Sequence, residues 1–333
     1  MVQFHKFICA TVCGALAIGT AHAAELPDPR SSSYRELPLM LDETGTIYSK
    51  LTISRTKQTG DQQTSHSFET HARYDFEWDD EAEAFRVVKS TLPLKSSNTS
   101  LSQAPVDLSD MTTVFKTLAQ ISYQADESLS PVEIRNWPEL KEDLKRIFRS
   151  VSLPEGTTND FMFNQLYGGM DAQTAAPYLL EAELFAAIPH NLGLEIGKPL
   201  IDDTPLMVPM GNFPLDAQVR LTLTSWDEAS NTAKVHYLFA PKPEALDHFI
   251  RVHLPATLKA ANAPPDVLKM IEDAVKAKGA GDLFESKTEC HYDMAIDTGL
   301  IRKGECTKHT RINLLDSMTA QTDKWTFSES FNP

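Results

Sequence analysis

Residues Phe284–Ile312, FESKTECHYDMAIDTGLIRKGECTKHTRI, decide the fold, because their pattern predicts a β-hairpin. The chain is expected to reverse at Asp297-Thr298-Gly299. A three-residue loop of this kind uses a type I turn followed by a residue in the left-handed region, which glycine adopts without steric cost. The stretch therefore predicts two antiparallel strands late in the chain.

Placing Thr298 at the centre of the turn fixes which residues face each other across the hairpin. Cys290 then lies opposite Cys306, and directly opposed β-carbons in a ladder are close enough for a disulfide. The other predicted pairs are Ile296–Leu300, Met294–Arg302, Tyr292–Gly304, Asp293–Lys303, His291–Glu305 and Glu285–Arg311. A shift by one residue would lose the cysteine pair and the charge pairs together, so the pattern predicts one register and a Cys290–Cys306 disulfide.

Alternating apolar and polar residues predict further strands in both halves of the chain. The two groups that matter most below are Tyr74, Phe76 and Trp78, and Val219, Leu221 and Leu223. Other predicted strands contain Ile47–Ile53, Phe85–Leu94, Ile121–Tyr123, Val132–Ile134, Val235–Phe239 and Thr322–Ser328. Short turns between neighbouring strands imply antiparallel pairing, because parallel strands need long crossovers.

Amphipathic segments predict helices between these strands. Pro138 suits a first helical turn, and apolar residues follow it at helical spacing. Asp171 predicts the N-cap of a helix that reaches Ile188, and Pro243–Val252 and Pro265–Ala277 are also expected to be helical. The predicted fold class is α+β: a large twisted antiparallel sheet built from hairpins, with amphipathic helices packed on one face.

The order of elements also suggests how the chain is divided. Residues 24–190 form an N-terminal half of strands followed by helices, and residues 215–333 form a C-terminal half that ends with the disulfide hairpin. Residues 191–214 contain prolines and glycines without periodicity, which predicts a connector. We expect the two halves to share one continuous sheet domain.

The N-terminus is typical of a secretory signal peptide. Phe7–Ile18, FICATVCGALAI, is a short apolar run that follows Lys6, and Ala21-His22-Ala23 is an A-x-A cleavage site. Cleavage after Ala23 would leave Cys290 and Cys306 as the cysteines of the mature chain, an even number suited to an oxidising compartment. The sequence therefore predicts an exported, periplasmic protein, with an uncleaved membrane anchor as the alternative.

Composition limits the classes of function. A formal net charge of −15 disfavours binding to nucleic acid or to an anionic lipid surface. No second long apolar segment follows the predicted signal, so we expect no transmembrane segment after cleavage. No nucleophile elbow, zinc-protease motif, phosphate-binding loop or dinucleotide fingerprint occurs. The sequence therefore predicts no catalytic residue and no cofactor.

Histidine spacing gives no metal site from sequence alone. His66 and His71 differ by an odd number on a predicted strand and should point to opposite faces. His248 and His253 lie five apart on a predicted α-helix, which is not the spacing of a zinc pair. His291 shares a strand face with Asp293, but each already has a predicted partner of opposite charge. Met207 and Met210 lack a nearby Cys or His, so loop or core packing is the expected role of both.

One family resemblance adds to this interpretation. The segments DMAIDTGLIRKGECT (293–307) and ADESLSPVEIRNW (125–137) are similar to the strand–turn–strand repeats of bacterial envelope proteins. The exported pattern of strands with helices on one face resembles the LolA/LolB-type periplasmic carriers. That resemblance implies a half-open sheet and helices that enclose an apolar cavity for an acyl chain. It carries no individual functional residue over to this chain.

Two functional hypotheses follow from the sequence. The first is a periplasmic binding or scaffolding protein whose sheet face holds a hydrophobic small molecule, a lipid or an envelope protein. Its candidate ligand-contacting residues are Tyr74, Phe76, Trp78, Val219, Leu221 and Leu223. The alternative is an envelope hydrolase whose nucleophile, base and orienting acid converge only in the folded chain. We expect the first, because no catalytic motif is present.

Overall fold

The computed structural model describes residues 27–91, 119–150, 160, 163–208, 213–260, 265–277, 283–314 and 317–333. The predicted signal at 1–23 and Met210 lie outside these residues, as does the Ser-, Asn- and Pro-rich segment 95–111, for which the sequence predicts a surface loop. The strands are β1 (Tyr34–Leu37), β2 (Thr44–Thr59), β3 (Gln62–Asp79), β4 (Ala84–Thr91), β5 (Gln120–Ala125), β6 (Pro131–Ile134), β7 (Leu192–Glu195), β8 (Leu200–Val208), β9 (Phe213–Asp227), β10 (Thr232–Pro241), β11 (Phe284–Ala295), β12 (Ile301–Leu314) and β13 (Ser317–Ser330). The helices are α1 (Trp137–Ser150), α2 (Ala172–Leu179), α3 (Glu181–Ala187), α4 (Pro243–His248), α5 (Leu254–Ala260) and α6 (Pro265–Ala277), with π-helical turns at Asn164–Gly168 and Phe249–His253.

An antiparallel sheet of 11 strands dominates the described part of the chain. Its strand order is β6-β5-β4-β3-β2-β13-β12-β11-β10-β9-β8, so each half of the chain forms one meander. The two meanders meet where β2 pairs with β13, and β1 and β7 form a separate two-stranded sheet. The α+β prediction fits this architecture broadly, although the fold is mostly strand and the helices are few.

The hairpin of β11 and β12 confirms the predicted register over most of its length. Cys290 faces Cys306 with their Cα atoms 4.1 Å apart, and the two form a disulfide. The three predicted charge pairs are also opposed as expected: Glu285–Arg311, His291–Glu305 and Asp293–Lys303. The alternation of residues and the pair of cysteines therefore predicted this register correctly.

The register prediction was wrong beside the turn. A bulge follows Asp293, and Met294 pairs with Ile301 instead of Arg302. The Gly299 N–H donates to the Ala295 carbonyl at 2.8 Å, which closes a five-residue α-turn and removes Ile296 from the ladder. Gly299 has the predicted left-handed backbone, with φ of +75°. A β-carbon there would also lie 2.3 Å from the Pro38 carbonyl oxygen, so this turn requires glycine.

The helix predicted from Asp171 to Ile188 is two helices. Asp171 caps α2 as expected, since its carboxylate accepts a hydrogen bond from the backbone N–H of Thr174. Pro177 inside α2 has no N–H to donate, and the helix ends two residues later at Leu179, with Leu180 as its C-cap. The range 191–214, predicted to be a connector, contains β7 and β8.

Two buried clusters cover one face of the large sheet, here called the inner face. The C-terminal cluster lies on β9–β13 and includes Leu223, Tyr237 and Trp325, with Phe185 of α3 packed against it. The N-terminal cluster lies on β2–β6 and includes Phe76, Val87, Ile121 and Tyr123, with Leu140 and Leu144 of α1 packed against it. The opposite face, here called the outer face, carries charged side chains. Side chains of helices α1–α3 therefore pack against the inner face.

Candidate binding cavity between the sheet and helix α3

A small cavity lies between the inner face of the sheet and helix α3. Strands β2, β3, β4, β5 and β13 provide one side of it, and α3 with the loop after it provides the other. Its volume is about 40 Å³, which is room for roughly three water molecules. The lining residues are Ile47, Ser49, Leu51, Tyr74, Phe76, Val87, Tyr123, Ser128, Leu129, Ala182, Glu183, Ala186, Ala187, His190, Phe327 and Glu329.

Two phenylalanine rings lie across glycines of neighbouring strands at the cavity. Phe76 is paired with Gly45, and a β-carbon at that glycine would lie 2.5 Å from the ring. Phe327 is paired with Gly304, where a β-carbon would lie 2.3 Å from the ring. Glycine has no β-carbon, so each ring can pack directly over the backbone of the adjacent strand. The rings therefore form flat apolar walls.

Helix α3 is fixed to the sheet by a buried ion pair. The Lys89 Nζ atom lies 2.6 Å from Oε1 of Glu183, and the Tyr74 hydroxyl donates to the same oxygen at 2.8 Å. Only 13% of the Lys89 side chain and 6% of the Glu183 side chain are exposed. Lys89 reaches the inner face because it continues the alternation of Phe85 and Val87 along β4. The carboxylate and the ammonium group therefore compensate each other away from bulk water.

A second pair of ionisable groups, His190 and Glu329, lies on another side of the cavity. The Nδ1 atom of His190 faces the Ser128 carbonyl at 3.1 Å, and Nε2 has no hydrogen-bond partner of normal geometry among the described residues. Nε2 lies 3.9 Å from Oε2 of Glu329. That carboxylate oxygen accepts a hydrogen bond from the Ile301 N–H at 3.1 Å. Nε2 of His190 is thus buried without a hydrogen bond of normal geometry, whereas the Glu329 carboxylate accepts one from the backbone.

Burial shifts the two pKa values in opposite directions. It lowers the pKa of His190 from 6.5 to about 4, although the carbonyls of Ser128 and Gly299 favour the protonated ring. It raises the pKa of Glu329 from 4.5 to about 7, against the effect of the Ile301 N–H. The folded pair therefore holds one proton between pH about 4 and about 7. The unfolded pair holds one proton between 4.5 and 6.5, so we expect little net effect of this pair on stability across that range.

Replacing either member should reveal the pH dependence of the other. In Glu329→Gln, the lowered pKa of His190 should reduce the free energy of unfolding by up to about 3 kcal/mol as pH falls from 6.5 to 4. In His190→Gln, the raised pKa of Glu329 should reduce it by a similar amount as pH rises from 4.5 to 7. Urea unfolding between pH 4 and 8 measures both slopes. Two variants with parallel profiles would contradict the assignment of the shifts to these groups.

The six candidate ligand-contacting residues occupy different places. Tyr74 and Phe76 line the cavity. Trp78 lies further along β3, where its ring packs edge-on against Phe85 at 4.9 Å. The group Val219, Leu221 and Leu223 belongs to the C-terminal cluster instead. Two of the six residues are therefore brought together at this cavity, and ligand contact by the six stays a prediction.

The structure gives different results for the two histidine pairs considered in the sequence analysis. His66 and His71 lie on the uninterrupted strand β3 and point to opposite faces, as predicted. His248 and His253 lie closer together than an α-helix would place residues five apart, because their rings make an edge-on contact at 5.1 Å. The chain between them is π-helical, and its i→i+5 hydrogen bonding brings residues five apart onto one side.

The cavity does not assemble a serine–histidine pair for hydrolysis. The ring of His190 faces the backbone carbonyl of Ser128, and the Ser128 hydroxyl donates to the His190 carbonyl at 3.4 Å. A general base would need to hydrogen-bond the nucleophile itself. The hydrolase alternative therefore has no geometric support around this cavity and stays a prediction.

Comparison with known proteins gives little further information. No protein-family model matches the chain, and no curated protein matches it. Among solved structures it is similar to a lipovitellin structure concerned with lipid–protein interactions, with a TM-score of 0.38 and 6% sequence identity. The alignment covers 87% of this chain and 26% of the lipovitellin chain. A similarity this low carries no argument about this protein.

Among the described residues, no helix is both long enough and apolar enough to cross a bilayer.

Proposed function

We propose that the chain is an exported periplasmic binding protein that holds the polar end of a small amphipathic molecule in the cavity. The observation that carries the proposal is the position of His190 in a mainly apolar chamber, where its buried Nε2 atom has no hydrogen-bond partner among the described residues and lies 3.9 Å from the Glu329 carboxylate. A buried polar group without a partner reduces stability, and an aliphatic residue would fill the same space at lower cost. A ligand group that pairs with both side chains gives them a role.

The geometry suits one hydroxyl group of the ligand. The Nε2 atom of His190 and the Oε2 atom of Glu329 are 3.9 Å apart, and each is buried. A single hydroxyl oxygen at about 2.8 Å from both spans this gap with ordinary hydrogen-bond distances. The neutral states favoured by burial at pH 5–6 supply an acceptor on the imidazole and a donor on the carboxylic acid.

The apolar part of the ligand would lie against α3 and the ring walls. Ala182 and Ala186 are one helical turn apart and both line the cavity, so the helix has small side chains there. Phe76 and Phe327 lie on the sheet side. The volume of about 40 Å³ limits the enclosed part of the ligand to a short group. A complete acyl chain, as the carrier resemblance implies, would require α3 to move.

The proposed location is the periplasm. The signal-like sequence at residues 1–23 supports export. The buried disulfide between Cys290 and Cys306 supports an oxidising compartment, because such bonds are rare where thiols are kept reduced.

Native mass spectrometry of the protein isolated from its own envelope tests both parts of the proposal. We expect the intact mass to correspond to a chain that begins at Ala24, with an additional non-covalent mass from a bound molecule. Ala186→Phe should fill the cavity and abolish the bound mass, because the new ring takes the ligand's space. Titration with 1-hexanol, followed through the NMR methyl signals of Ala182 and Ala186, should give saturable shifts in the wild-type protein.

The matched control is Ala277→Phe, which makes the same change at an exposed helical position of α6. This variant should keep the bound mass. A wild-type chain that carries no bound molecule and shows no saturable methyl shift would contradict the proposal. Recovery of a protein partner without any bound small molecule would favour the scaffolding hypothesis instead.

A further inference from the structure

Three metal-ligating side chains converge on the outer face of the sheet, away from the cavity. His236 of β10 is directly opposite His291 of β11, and their rings are nearly parallel, with centroids 4.7 Å apart and an interplanar angle of 19°. Glu289 precedes His291 by two residues and so shares its face of the strand. Oε1 of Glu289 lies 2.9 Å from Nε2 of His236 and 3.8 Å from Nε2 of His291.

We propose that His236, Glu289 and His291 form a binding site for a divalent transition-metal ion of the zinc class. Their candidate ligand atoms all lie within 4.8 Å of one another. Two imidazoles and one carboxylate are a donor set that Zn²⁺ accepts, and a set of three leaves a further position for water or another ligand. The inference is independent of the cavity and of any ligand held there.

The surrounding residues orient the carboxylate toward the two rings. Lys287 is on the same face of β11, and its Nζ atom lies 2.7 Å from Oε2 of Glu289. This ion pair occupies one carboxylate oxygen and leaves Oε1 facing both imidazoles. Two paired strands fix the separation of the histidines, so binding requires only side-chain adjustment. The site is partly exposed, which gives an ion direct access from solvent.

A second group of side chains on the outer face serves as a control, because it has the same acid–histidine contact without a second imidazole. Glu69 and His71 of β3 have the same spacing as Glu289 and His291, with Nε2 of His71 3.3 Å from Oε1 of Glu69. Lys50 lies 3.0 Å from the other oxygen of Glu69. The residue opposite His71 on β2 is Lys50 instead of a histidine. The two groups therefore share an acid, a histidine and a lysine, and only the first has the second imidazole.

Zinc titration of the tag-free mature protein, with a chromogenic chelator as competitor, tests the proposal. We expect one saturable Zn²⁺ site per chain. His236→Gln and Glu289→Gln should each weaken binding by about 100-fold or more, since each removes a ligand. His71→Gln, the matched control, should leave the affinity unchanged. Lys50→His places an imidazole opposite His71 and should add a second site.

Circular dichroism and the melting temperature establish that each variant is folded, which is expected because these side chains are on the solvated face. Absorption bands of bound Co²⁺ give a second readout, and they should disappear in His236→Gln. The proposal is overturned by a wild-type protein without a saturable site. It is also overturned if His236→Gln and Glu289→Gln bind Zn²⁺ as tightly as the wild-type protein does.

Discussion

Glu183→Met should lower the free energy of unfolding by about 3–5 kcal/mol, because it leaves the ammonium group of Lys89 buried without a counter-charge. The Lys89 Nζ atom lies 2.6 Å from Glu183, and 13% of the Lys89 side chain is exposed. Lys89→Met should have an effect of similar size, since it leaves the Glu183 carboxylate uncompensated. Urea unfolding at pH 7, monitored by tryptophan fluorescence, measures both losses.

The double variant Lys89→Met/Glu183→Met tests whether the two single losses have the same cause, an unpaired buried charge. It should regain most of the lost stability, because two apolar side chains carry no desolvation cost. The remaining loss should come from Tyr74, whose hydroxyl donates to Glu183, and adding Tyr74→Phe should recover it. Asp143→Asn, in an exposed pair with Arg146 on α1, serves as the surface control and should change the urea midpoint little. Additive losses in the double variant would contradict the assigned coupling.

Cys290→Ala/Cys306→Ala should lower the free energy of unfolding by about 3–4 kcal/mol. The disulfide closes a loop with a sequence separation of 16, and its loss restores conformational freedom to the unfolded chain. Both cysteines are fully buried, so two lost sulfur atoms also leave packing space in the C-terminal cluster. Guanidinium unfolding under non-reducing conditions measures the difference.

A reductant distinguishes the stability contributed by the disulfide bond from the stability contributed by packing of the two cysteine side chains. Dithiothreitol should lower the unfolding midpoint of the wild-type protein and leave that of the double alanine variant unchanged. In the native state the buried bond should react slowly, because the attacking thiolate must reach a sulfur. Equal midpoints of oxidised and reduced wild-type protein would show that the disulfide does not constrain the unfolded chain.

The hairpin shows what the sequence could predict about the fold. Alternation, opposite charges and a cysteine pair gave the same register, and the ladder from Glu285 to Asp293 has that register. The error beside the turn came from assuming that strand pairing continues to Ile296 and Leu300. The observed α-turn is wider than the predicted loop and places Gly299 against Pro38, which is far away in sequence, and no local pattern contains that contact.

Only some of the residues that line the cavity could be predicted from the same sequence patterns. The aromatic alternation on β3 gave Tyr74 and Phe76, which line it. Lys89 and Glu329 could also have been found, because each is a charged residue where an apolar one was due in an alternating strand. His190 could not, because it lies in a loop without periodicity and is buried by residues remote in sequence.

The three proposed metal ligands show the limit of local patterns. The sequence placed His291 on a strand, but its nearest imidazole is that of His236. Strands β10 and β11 are joined by the long segment that contains α4–α6, so no short turn sets their register. Their pairing follows from burial of Tyr237, Cys290 and Tyr292 on the inner face, which is a property of the whole sheet.

The seam between β2 and β13 has a consequence for how the chain is made. Its ladder runs from Thr59–Thr319 to Tyr48–Ser330, so it joins strands synthesised at widely separated times. Until the later strand emerges, β2 has one edge without a partner, and an open edge is a template for association with other chains. Pairing of β2 with β13 therefore has a high contact order, and an edge of β2 stays open to other chains until its last hydrogen-bonded neighbour has been made.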